Sequence, residues 1–315
     1  MSVAQQQTML NHTQPPQALS WLGPPLAVVG VIVLAVQIWA YGAWLLTSGL
    51  EPVRSAGTVP DEILANIHAG QTLSVVSTFL WLSYVCWDVF LRRSLTWSLL
   101  WTVTWAAVFW QEPLVNIRNH TFSFNTAFAN AGDWTTYIPF VPDSYSPLPE
   151  PLLMEPLIFV YQLPLLAMLV CGYMRLLQRH LGITNAVALT LIAYLTVVAF
   201  DAFSELQGIE QQLLRYVEIG GPAIRAGQPD QWPLYEGFGL GAAWAFPGIL
   251  MFWLRQRPNS DNPLWWRGRF SRWLTVLTAI GAVNLFFGAY NTGFILVMDG
   301  TVSEQPAYLS PDQRL

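Results

Sequence analysis

Seven apolar runs dominate the chain, and each is long enough to cross a membrane as a single helix. Crossing about 30 Å of hydrocarbon takes about 20 predominantly apolar helical residues. Of the 315 residues, only 10% are charged, against roughly 25% in a soluble domain. The sequence therefore predicts an all-α integral membrane protein, a bundle of about seven transmembrane helices. The predicted spans are 25–47, 70–91, 95–116, 152–177, 183–206, 234–254 and 273–298.

The basic residues predict the orientation of this bundle. All fourteen are Arg, and nine of them cluster at the ends of the second, fourth and sixth spans and in the connections that follow. By the positive-inside rule these connections are cytoplasmic, so we expect the N-terminus inside and the C-terminus outside, in a bacterial inner membrane. Apart from Asp88 and Asp261, every acid falls in the outer half of the protein. Either the outer connections simply tolerate acids, or a polar site lies near the outer membrane face.

No interior connection is long enough to hold a folded soluble domain, so the spans form one domain. We expect a disordered cytoplasmic tail at 1–23, a transmembrane domain at 24–300 and an outer tail at 301–315. The long outer loop between helices three and four, at 117–151, ends in a Pro- and Ser-rich stretch that predicts an extended cap over the bundle. The next outer connection, 207–233, begins with an amphipathic pattern that predicts a continuation of helix five or an interfacial helix.

Two acids on helix five are the strongest candidates for chemistry. Asp201 and Glu205 are four residues apart and so share a face. In a low dielectric both cannot ionise easily, so one is a candidate proton donor at neutral pH. The other interpretation is that the helix has reached the headgroups at Asp201 and both acids are hydrated. Glu112, at the end of the third span, is the third candidate catalytic residue.

Further polar residues reach the same outer level from neighbouring segments. Singly each is weak evidence, but a ring of acids, amides and hydroxyls suits acid–base work on an apolar substrate, and it also suits a small-solute transporter. The stretch 111–140 adds polar and aromatic side chains directly after an apolar run. The candidate substrate-binding residues are Gln111, Asn116, Asn125, Asp133, Trp134, Glu155, Tyr235, Glu236 and Asn291.

Several signatures are missing from the sequence. Four scattered His residues and no HExxH motif argue against a metal-dependent oxygenase or protease, and there is no phosphate loop, dinucleotide fingerprint or GxSxG. We therefore expect no cofactor and no metal site. The expected partners are a lipophilic small molecule and the lipid bilayer, with no nucleic acid. For the deeper Trp residues, packing is favoured over a role as the wall of a pocket.

Several motifs resemble those of the AveC-like spirocyclase family, membrane proteins associated with spiroketal formation in avermectin-type polyketide pathways. The motifs are QEPLVN at 111–116, FSFN at 122–125, ANAGDW at 129–134, DAFSE at 201–205 and PLYE at 233–236. The stretch 208–223 departs from the family pattern, so the substrate is expected to differ in shape there. The resemblance implies a cyclase that turns a dihydroxy ketone into a spiroketal with loss of water, sometimes with an associated dehydration.

The resemblance and the acids together suggest roles for particular residues. Asp201 or Glu205 would act as the acid and Glu112 as the base, while Asn116, Asn125 and Asp133 would orient the substrate and the loop. Two other classes remain open, a small-solute transporter and a binding or assembly module with a polar rim. A closed pocket beneath the loop, walled by Trp and Phe, would favour catalysis. A water path to the Arg-rich inner face would favour transport.

Overall fold

The structure is a computed structural model that describes residues 17–47, 50–55, 57–117, 120–139, 141, 148–256, 271–297 and 301–302. Within these residues the chain forms seven α-helices, six of which are long and apolar enough to cross a membrane. Large apolar side chains such as Ile38, Phe79 and Leu191 are exposed on the outside of the bundle, as expected of surfaces in contact with lipid. The prediction of an all-α membrane bundle is therefore confirmed.

The helices alternate in direction, so their Arg-bearing ends gather on one side. Arg92 ends α2 and Arg255 ends α6, whereas the connections on the opposite side carry short strands. Most of the tails predicted at 1–23 and 301–315 lies outside the described residues, and α1 already begins at Gln17. The helices are α1 (Gln17–Thr47), α2 (Asp61–Arg92), α3 (Trp97–Ala106), α4 (Glu155–His180), α5 (Ala186–Glu210), α6 (Leu234–Arg255) and α7 (Ser271–Val297).

The third predicted span is divided into two parts. The α-helix α3 stops at Ala106, and the chain continues as a 3₁₀ helix, Phe109–Asn116. Pro113 supplies the physical reason, because it has no N–H to donate and its ring clashes with the preceding turn of an α-helix. Helix α3 is also the most enclosed element, with Leu100, Trp101 and Trp105 fully buried. It therefore forms the centre of the bundle rather than a lipid-facing wall.

Small residues allow the helices to approach closely. A Cβ atom on Gly30 of α1 would collide with the carbonyl oxygen of Leu277 on α7, and one on Gly281 would collide with that of Leu26. Gly248 of α6 lies equally close to α4, since a Cβ atom there would be 2.6 Å from the Ala167 oxygen. Without a hydrophobic driving force between helices in lipid, such close contacts supply van der Waals attraction.

The outer connections are joined to each other by short antiparallel ladders. We call the described residues of 120–154 and 211–233 the cap. Ladder β1–β4 links the two connections, with Phe122 opposite Tyr216 and Phe124 opposite Leu214, and β2–β3 places Ala131 opposite Glu150. The strands are β1 (Phe122–Phe124), β2 (Asn130–Gly132), β3 (Pro149–Pro151), β4 (Leu214–Tyr216), β5 (Glu218–Ile219), β6 (Ala223–Ile224), β7 (Trp232–Pro233) and β8 (Thr301–Val302).

The predicted continuation of helix five is right only as far as Glu210. There the chain turns, with Gln212 in the left-handed region at a φ of 57° and the Leu213 N–H donating to the Gly208 carbonyl at 2.8 Å. Beyond this point the residues of the amphipathic pattern form the strands β4 and β5 instead of a helix. These strands bury Tyr216 and Ile219 against the ends of the helices.

Candidate functional site

A cavity of about 220 Å³ lies beneath the cap, between the 3₁₀ helix and the outer ends of α4, α5, α6 and α7. Its walls are mostly aromatic and aliphatic, and its polar groups are concentrated around four glutamates. The lining residues are Glu112, Val115, Phe122, Phe124, Met154, Glu155, Ile158, Phe159, Gln162, Ser204, Glu205, Gly208, Leu213, Leu214, Tyr216, Glu236, Leu240, Trp244, Phe287, Tyr290 and Asn291.

The four carboxyl groups come from four separate elements. Glu112 stands on the 3₁₀ helix, Glu205 lies near the end of α5, and Glu155 and Glu236 occupy the first turns of α4 and α6. A helix N-terminus carries a partial positive charge that favours an acidic side chain, which suits the positions of Glu155 and Glu236. The sequence predicted all four as site residues, and the fold brings them around one cavity.

Two tyrosines hold two of these carboxyl groups. The Tyr216 hydroxyl donates to Glu205 Oε2 at 2.6 Å, and the Tyr290 hydroxyl donates to Glu236 Oε2. Burial, and then the nearby Glu205 carboxyl, raise the pKa of Tyr216 well above its ordinary value, so this phenol remains a proton donor. Sequence reasoning missed both tyrosines. Tyr290 is adjacent to the predicted Asn291, whereas Tyr216 lies in the stretch that departs from the family pattern.

A fifth carboxyl group, that of Glu150, lies near the carboxyl group of Glu112. Glu150 belongs to strand β3 of the cap and is 2% exposed. Burial and the adjacent Glu112 raise the pKa of Glu150 well above its ordinary value. Sequence reasoning missed Glu150 because its PLPEP context was interpreted only as a turn-rich stretch.

All the residues that line the cavity belong to a part of the sequence that matches one protein-family model. The family model described as Spirocyclase AveC-like matches residues 91–311, which include every residue that lines the cavity. The chain belongs to the AveC-like spirocyclase family. No curated protein and no solved structure matches it. The family recognised from the motifs at 111–116 and 201–205 is thus confirmed, and both motifs contribute a glutamate to the cavity of this AveC-like chain.

Asp201, the remaining candidate catalytic residue, lies behind the cavity rather than on its wall. Its side chain is fully buried, and a Cβ atom on Gly237 would be 3.7 Å from its Oδ2 atom. Neither carboxyl oxygen has a hydrogen-bond partner among the described residues. This burial argues against the interpretation in which Asp201 is hydrated among the headgroups. Asp201 lies one helical turn before Glu205, between α5 and α6.

Gln111 and Asn291, two of the predicted substrate-binding residues, join the 3₁₀ helix to α7 through their amide side chains. Gln111 donates through Nε2 to Asn284 Oδ1 at 2.6 Å, and Asn291 donates through Nδ2 to the Gln111 carbonyl at 2.9 Å. Asn291 also lines the cavity, whereas Gln111 is almost fully buried beside it. These bonds fix the segment that carries Glu112.

Three predicted polar residues build the cap by bonding to backbone groups. Asn116 Oδ1 accepts the N–H groups of Thr121 and Phe122, each at 3.0 Å. Asn125 donates to the Gln212 carbonyl at 2.9 Å, which joins the two outer connections. Asp133 accepts from Thr135 at 2.8 Å and from Leu148 at 2.7 Å. Their roles in orienting the substrate stay predictions, and the described contacts orient the loop.

The two predicted aromatic residues lie in apolar clusters around the site. Trp134 is 1% exposed, donates to the Trp110 carbonyl at 2.8 Å and packs edge-on against Tyr41. Tyr235 is half-buried beside Trp232 in a cluster under the second outer connection. Both residues support the cap and the helix ends that carry the glutamates.

The deeper Trp residues divide between the two roles considered for them. Trp101 and Trp105 are fully buried in the core, and Trp81 donates to Thr102 at 2.9 Å, so packing describes these three. Trp244 lines the cavity, where it joins Phe159 and Phe287 in an aromatic floor. Trp87 is 60% exposed on the lipid-facing surface.

The carboxyl groups are spread around the cavity rather than gathered at one point. Among the described residues, no group of three or more His, Cys, Asp or Glu side chains could hold a metal ion. The site contains carboxyl groups, which can give or accept protons. Two of them accept hydrogen bonds from phenols, and aromatic rings lie beside them. It is suited to proton transfer on an apolar, oxygen-bearing molecule.

Proposed function

We propose that the chain is a membrane-embedded, cofactor-independent cyclase or dehydratase that closes a lipophilic, polyketide-like dihydroxy ketone into a spiroketal. The observation that carries this proposal is the cavity beneath the cap, where four glutamates face aromatic and aliphatic walls. Membership of the AveC-like spirocyclase family supports the reaction class. The geometry supports acid–base catalysis, because the carboxyl groups surround one enclosed space.

The proposed reaction proceeds in two balanced stages. First, one hydroxyl adds to the ketone, while a carboxylate accepts the hydroxyl proton and a neutral carboxyl donates a proton to the ketone oxygen. Second, a neutral carboxyl protonates the hemiketal hydroxyl, water leaves, and the second hydroxyl adds to the oxocarbenium carbon as its proton returns to a carboxylate. The net change is one ketone and two hydroxyls to one spiroketal and one water.

Glu112 and Glu205 are the residues to which we assign these proton transfers. Glu112 is the base, since its carboxyl group lines the cavity on the segment that the bond between Asn291 and Gln111 fixes. Glu205 is the acid that reaches the substrate, positioned by Tyr216. Asp201 lies behind the cavity wall, so we assign it an indirect role, through Glu205 one helical turn away. The faces of Phe159, Trp244 and Phe287 stabilise the developing cation.

The site lies at the end of the bundle opposite the Arg-bearing helix ends. We propose that this end faces the outside of a bacterial inner membrane, with the N-terminus cytoplasmic and the C-terminus outside. A lipophilic substrate would then reach the cavity from the bilayer. The test introduces a cysteine on the cap in one variant and a cysteine beside Arg92 in another. The two cysteines should react with a membrane-impermeant thiol reagent from opposite sides of sealed vesicles. Labelling of both from the same side would contradict this orientation.

The described structure supports catalysis better than transport. Between the cavity and the Arg-bearing end, the core is filled by large side chains that are at most 1% exposed, including Leu163, Met174 and Phe252. A solute path through the bundle would have to cross this packed region. The cavity instead is a concave pocket with aromatic walls and a few polar groups, as is typical of the site of an enzyme.

The proposal can be tested with a simple ketone whose uncatalysed cyclisation is racemic. The probe is a symmetrical nine-carbon ketone with a hydroxyl at each end, supplied to protein purified in lipid nanodiscs. We expect the spiroketal to form faster than in empty nanodiscs and with an enantiomeric excess, measured by chiral gas chromatography. A second arm compares the metabolites of a strain lacking the gene with those of its parent. Racemic product at the background rate, with no oxygenated metabolite changed, would refute the proposal.

A further inference from the structure

The wall that α4 contributes to the cavity continues directly into a lipid-facing surface. Ile158 and Gln162 line the cavity, and Leu165 and Leu169 follow on the same face of the helix. Leu165 is 38% exposed and Leu169 is 58% exposed. The face of α4 that borders the cavity is therefore the face that contacts lipid from one helical turn further toward the Arg-bearing end.

The wall that α5 contributes loses its cover in the same way. Leu189, Ala193, Phe200 and Ser204 share one face of this helix, and Ser204 lines the cavity. Leu189 and Ala193, which are nearer the Arg-bearing end, have no exposed surface, whereas Phe200 is 40% exposed. This face of α5 is thus packed against other helices at one end and uncovered one turn before it reaches the cavity.

The two uncovered surfaces lie at the same level of the bundle. The helices α4 and α5 are antiparallel, so Leu165 lies one turn below Gln162, and Phe200 lies one turn below Ser204. We call these four residues the portal. Gln162 is seven residues into α4, about 10 Å from its outer end at a rise of 1.5 Å per residue. The portal therefore lies inside the membrane rather than at its surface.

The side chains of the portal are uncharged, and one of them is a polar group in an apolar span. A polar side chain at this depth is unfavourable unless it is paired or used. Gln162 makes no side-chain hydrogen bond within the described residues. Its amide therefore marks the level at which the polar cavity gives way to a surface of Leu and Phe side chains.

The volume of the cavity limits what it can enclose. An apolar cavity of about 150 Å³ in another protein holds one benzene molecule. The cavity beneath the cap has a volume of about 220 Å³. It therefore has room for a ketone and the carbon atoms that form two rings, but not for a long substituent as well. The remainder of a longer substrate has to extend out of the cavity.

We propose that the portal is the lateral entrance of the site and holds an alkyl chain of the substrate, while the dihydroxy ketone lies among the glutamates. The proposal rests on the proposed function, because it assumes that the cavity binds the dihydroxy ketone. It defines the substrate class more closely, as an amphiphilic ketone whose chain remains in the lipid between α4 and α5. Since the portal carries no charge, a charged substituent in place of the chain is excluded.

The first test compares two probe ketones on the whole protein in nanodiscs. One is the nine-carbon ketone described above, and the other carries an octyl chain on one of its carbinol carbons. Leu165→Trp narrows the portal without changing a residue that lines the cavity. Leu176→Trp is the matched control, because Leu176 is 52% exposed on the same face of α4, three turns further from the cavity. Each variant is accepted only if it is monodisperse and unfolds at a temperature close to that of the wild type.

We expect Leu165→Trp to separate the two ketones. It should lower kcat/KM for the octyl ketone by at least about tenfold, the lower end of the discrimination that the shape of a hydrophobic pocket provides. It should leave the nine-carbon ketone, which has no chain in the portal, at the wild-type value. Leu176→Trp should change neither ketone. An equal loss for both ketones in Leu165→Trp, or no loss for either, would overturn the role of the portal in holding the chain.

The second test locates the chain on the wild type and does not depend on turnover. The octyl ketone, with a photoreactive diazirine at the end of its chain, is irradiated with the protein, and the labelled residues are identified by mass spectrometry. Labels at 162–172 and 196–204 that an excess of unlabelled octyl ketone reduces would support the portal. Labels concentrated on the cap, at 122–124 and 213–216, would show that the chain leaves on the aqueous side and would overturn it.

A phospholipid with the same diazirine on its acyl chain distinguishes a substrate portal from a groove for lipid. If the phospholipid labels the portal and excess octyl ketone does not displace it, the groove binds lipid only and the proposal is overturned. Displacement by the ketone supports the proposal. A wild type that takes the ketone label at the portal but turns over neither ketone counts against the proposed function and leaves the portal standing as a binding site.

Discussion

The two ends of the helix bundle fill their interiors in different ways. At the Arg-bearing end, Trp101, Met174 and Phe252 pack to at most 1% exposure, and Asp88 is satisfied by Arg92 at 2.6 Å and Ser98 at 2.7 Å. At the outer end the same bundle surrounds a cavity of about 220 Å³ with carboxyl groups. Dense apolar packing stabilises the fold, whereas enclosed carboxyl groups oppose it unless they are paired or protonated.

The outer end differs from the Arg-bearing end in having a cap over the helix ends. Backbone ladders and amide side chains join the two outer connections, as the Asn125 bond to the Gln212 carbonyl illustrates. The cap closes the cavity with Phe122, Phe124 and Leu214 and leaves the glutamates facing inward. The comparison thus separates a part of the molecule that holds the bundle together from a part that is shaped for chemistry. The following substitutions test that separation.

The largest effect on chemistry is expected from Glu112→Gln. It replaces the proposed base by an amide of similar size that cannot accept the proton, and loss of a general base typically lowers turnover by about 10²–10⁴-fold. The thermal stability should stay close to that of the wild type, since burial of the charge is relieved. Turnover of the probe ketone and the unfolding temperature are measured on the same sample. Undiminished turnover in a folded protein would remove Glu112 from this role.

The largest effect on stability is expected from Gly281→Leu at the crossing of α1 and α7. Even a Cβ atom there collides with the Leu26 carbonyl, so the helices must separate. Overpacking of this kind destabilises a protein by about 1–3 kcal/mol. Gly172→Leu is the control, because no atom lies within 4 Å of the corresponding Cβ position. The two variants are compared by thermal unfolding in nanodiscs, and equal unfolding temperatures would contradict the close contact.

A smaller effect on chemistry is expected from Tyr216→Phe. It removes the hydroxyl that donates to Glu205 and leaves the aromatic packing in place. A hydrogen bond between neutral groups contributes about 0.5–1.5 kcal/mol, so loss of this positioning contact should lower turnover about 2- to 10-fold. Tyr194→Phe serves as the control, since the Tyr194 hydroxyl donates to the Phe238 carbonyl away from the cavity lining. If both variants turn over the probe ketone alike, Tyr216 does not position the acid.

The smallest effect is expected from Trp44→Phe, which detaches one anchor of the cap. Trp44 Nε1 donates to the Gly132 carbonyl at 2.8 Å and so joins α1 to strand β2. Loss of one such bond should weaken the local stability of the cap by about 1 kcal/mol. Faster amide hydrogen exchange at 122–139, with unchanged exchange in α3, would show this local opening. Trp39→Phe should leave the exchange of the cap unchanged, because Trp39 is 64% exposed to the lipid side.

The outcomes for individual residues show how far sequence reasoning reaches. Glu112, Glu155, Glu205 and Glu236 could be selected because a polar side chain within or beside an apolar run is unfavourable unless it is paired or used. Asn116, Asn125 and Asp133 were selected for the same reason, but the structure shows them hydrogen-bonded to backbone groups of the cap. Polarity at a membrane boundary thus marks both a cavity and the loop that closes it, and the sequence does not distinguish the two.

Glu150, Tyr216 and Tyr290 could not be found in this way. Glu150 lies in a Pro-rich stretch and Tyr216 in an amphipathic one, and short-range patterns assign these to a turn and a helix. Their contacts join separate parts of the chain, Glu150 to Ala131 and Tyr290 to Glu236. Only the strand ladders of the cap and the crossing of α6 with α7 bring Tyr216 and Tyr290 to the cavity and Glu150 under the cap.

Hydropathy and the motifs were sufficient to predict a membrane helix bundle, its family and the four glutamates that line its cavity. Those properties depend on composition and on local periodicity, because the energy of burying apolar and charged groups in lipid is largely a property of each segment. The break after α3, the strands of the cap and the bonds from Tyr216 and Tyr290 to the glutamates emerge only in the folded chain. They depend on which distant groups meet, and proximity between distant segments is decided by the packing of the whole bundle.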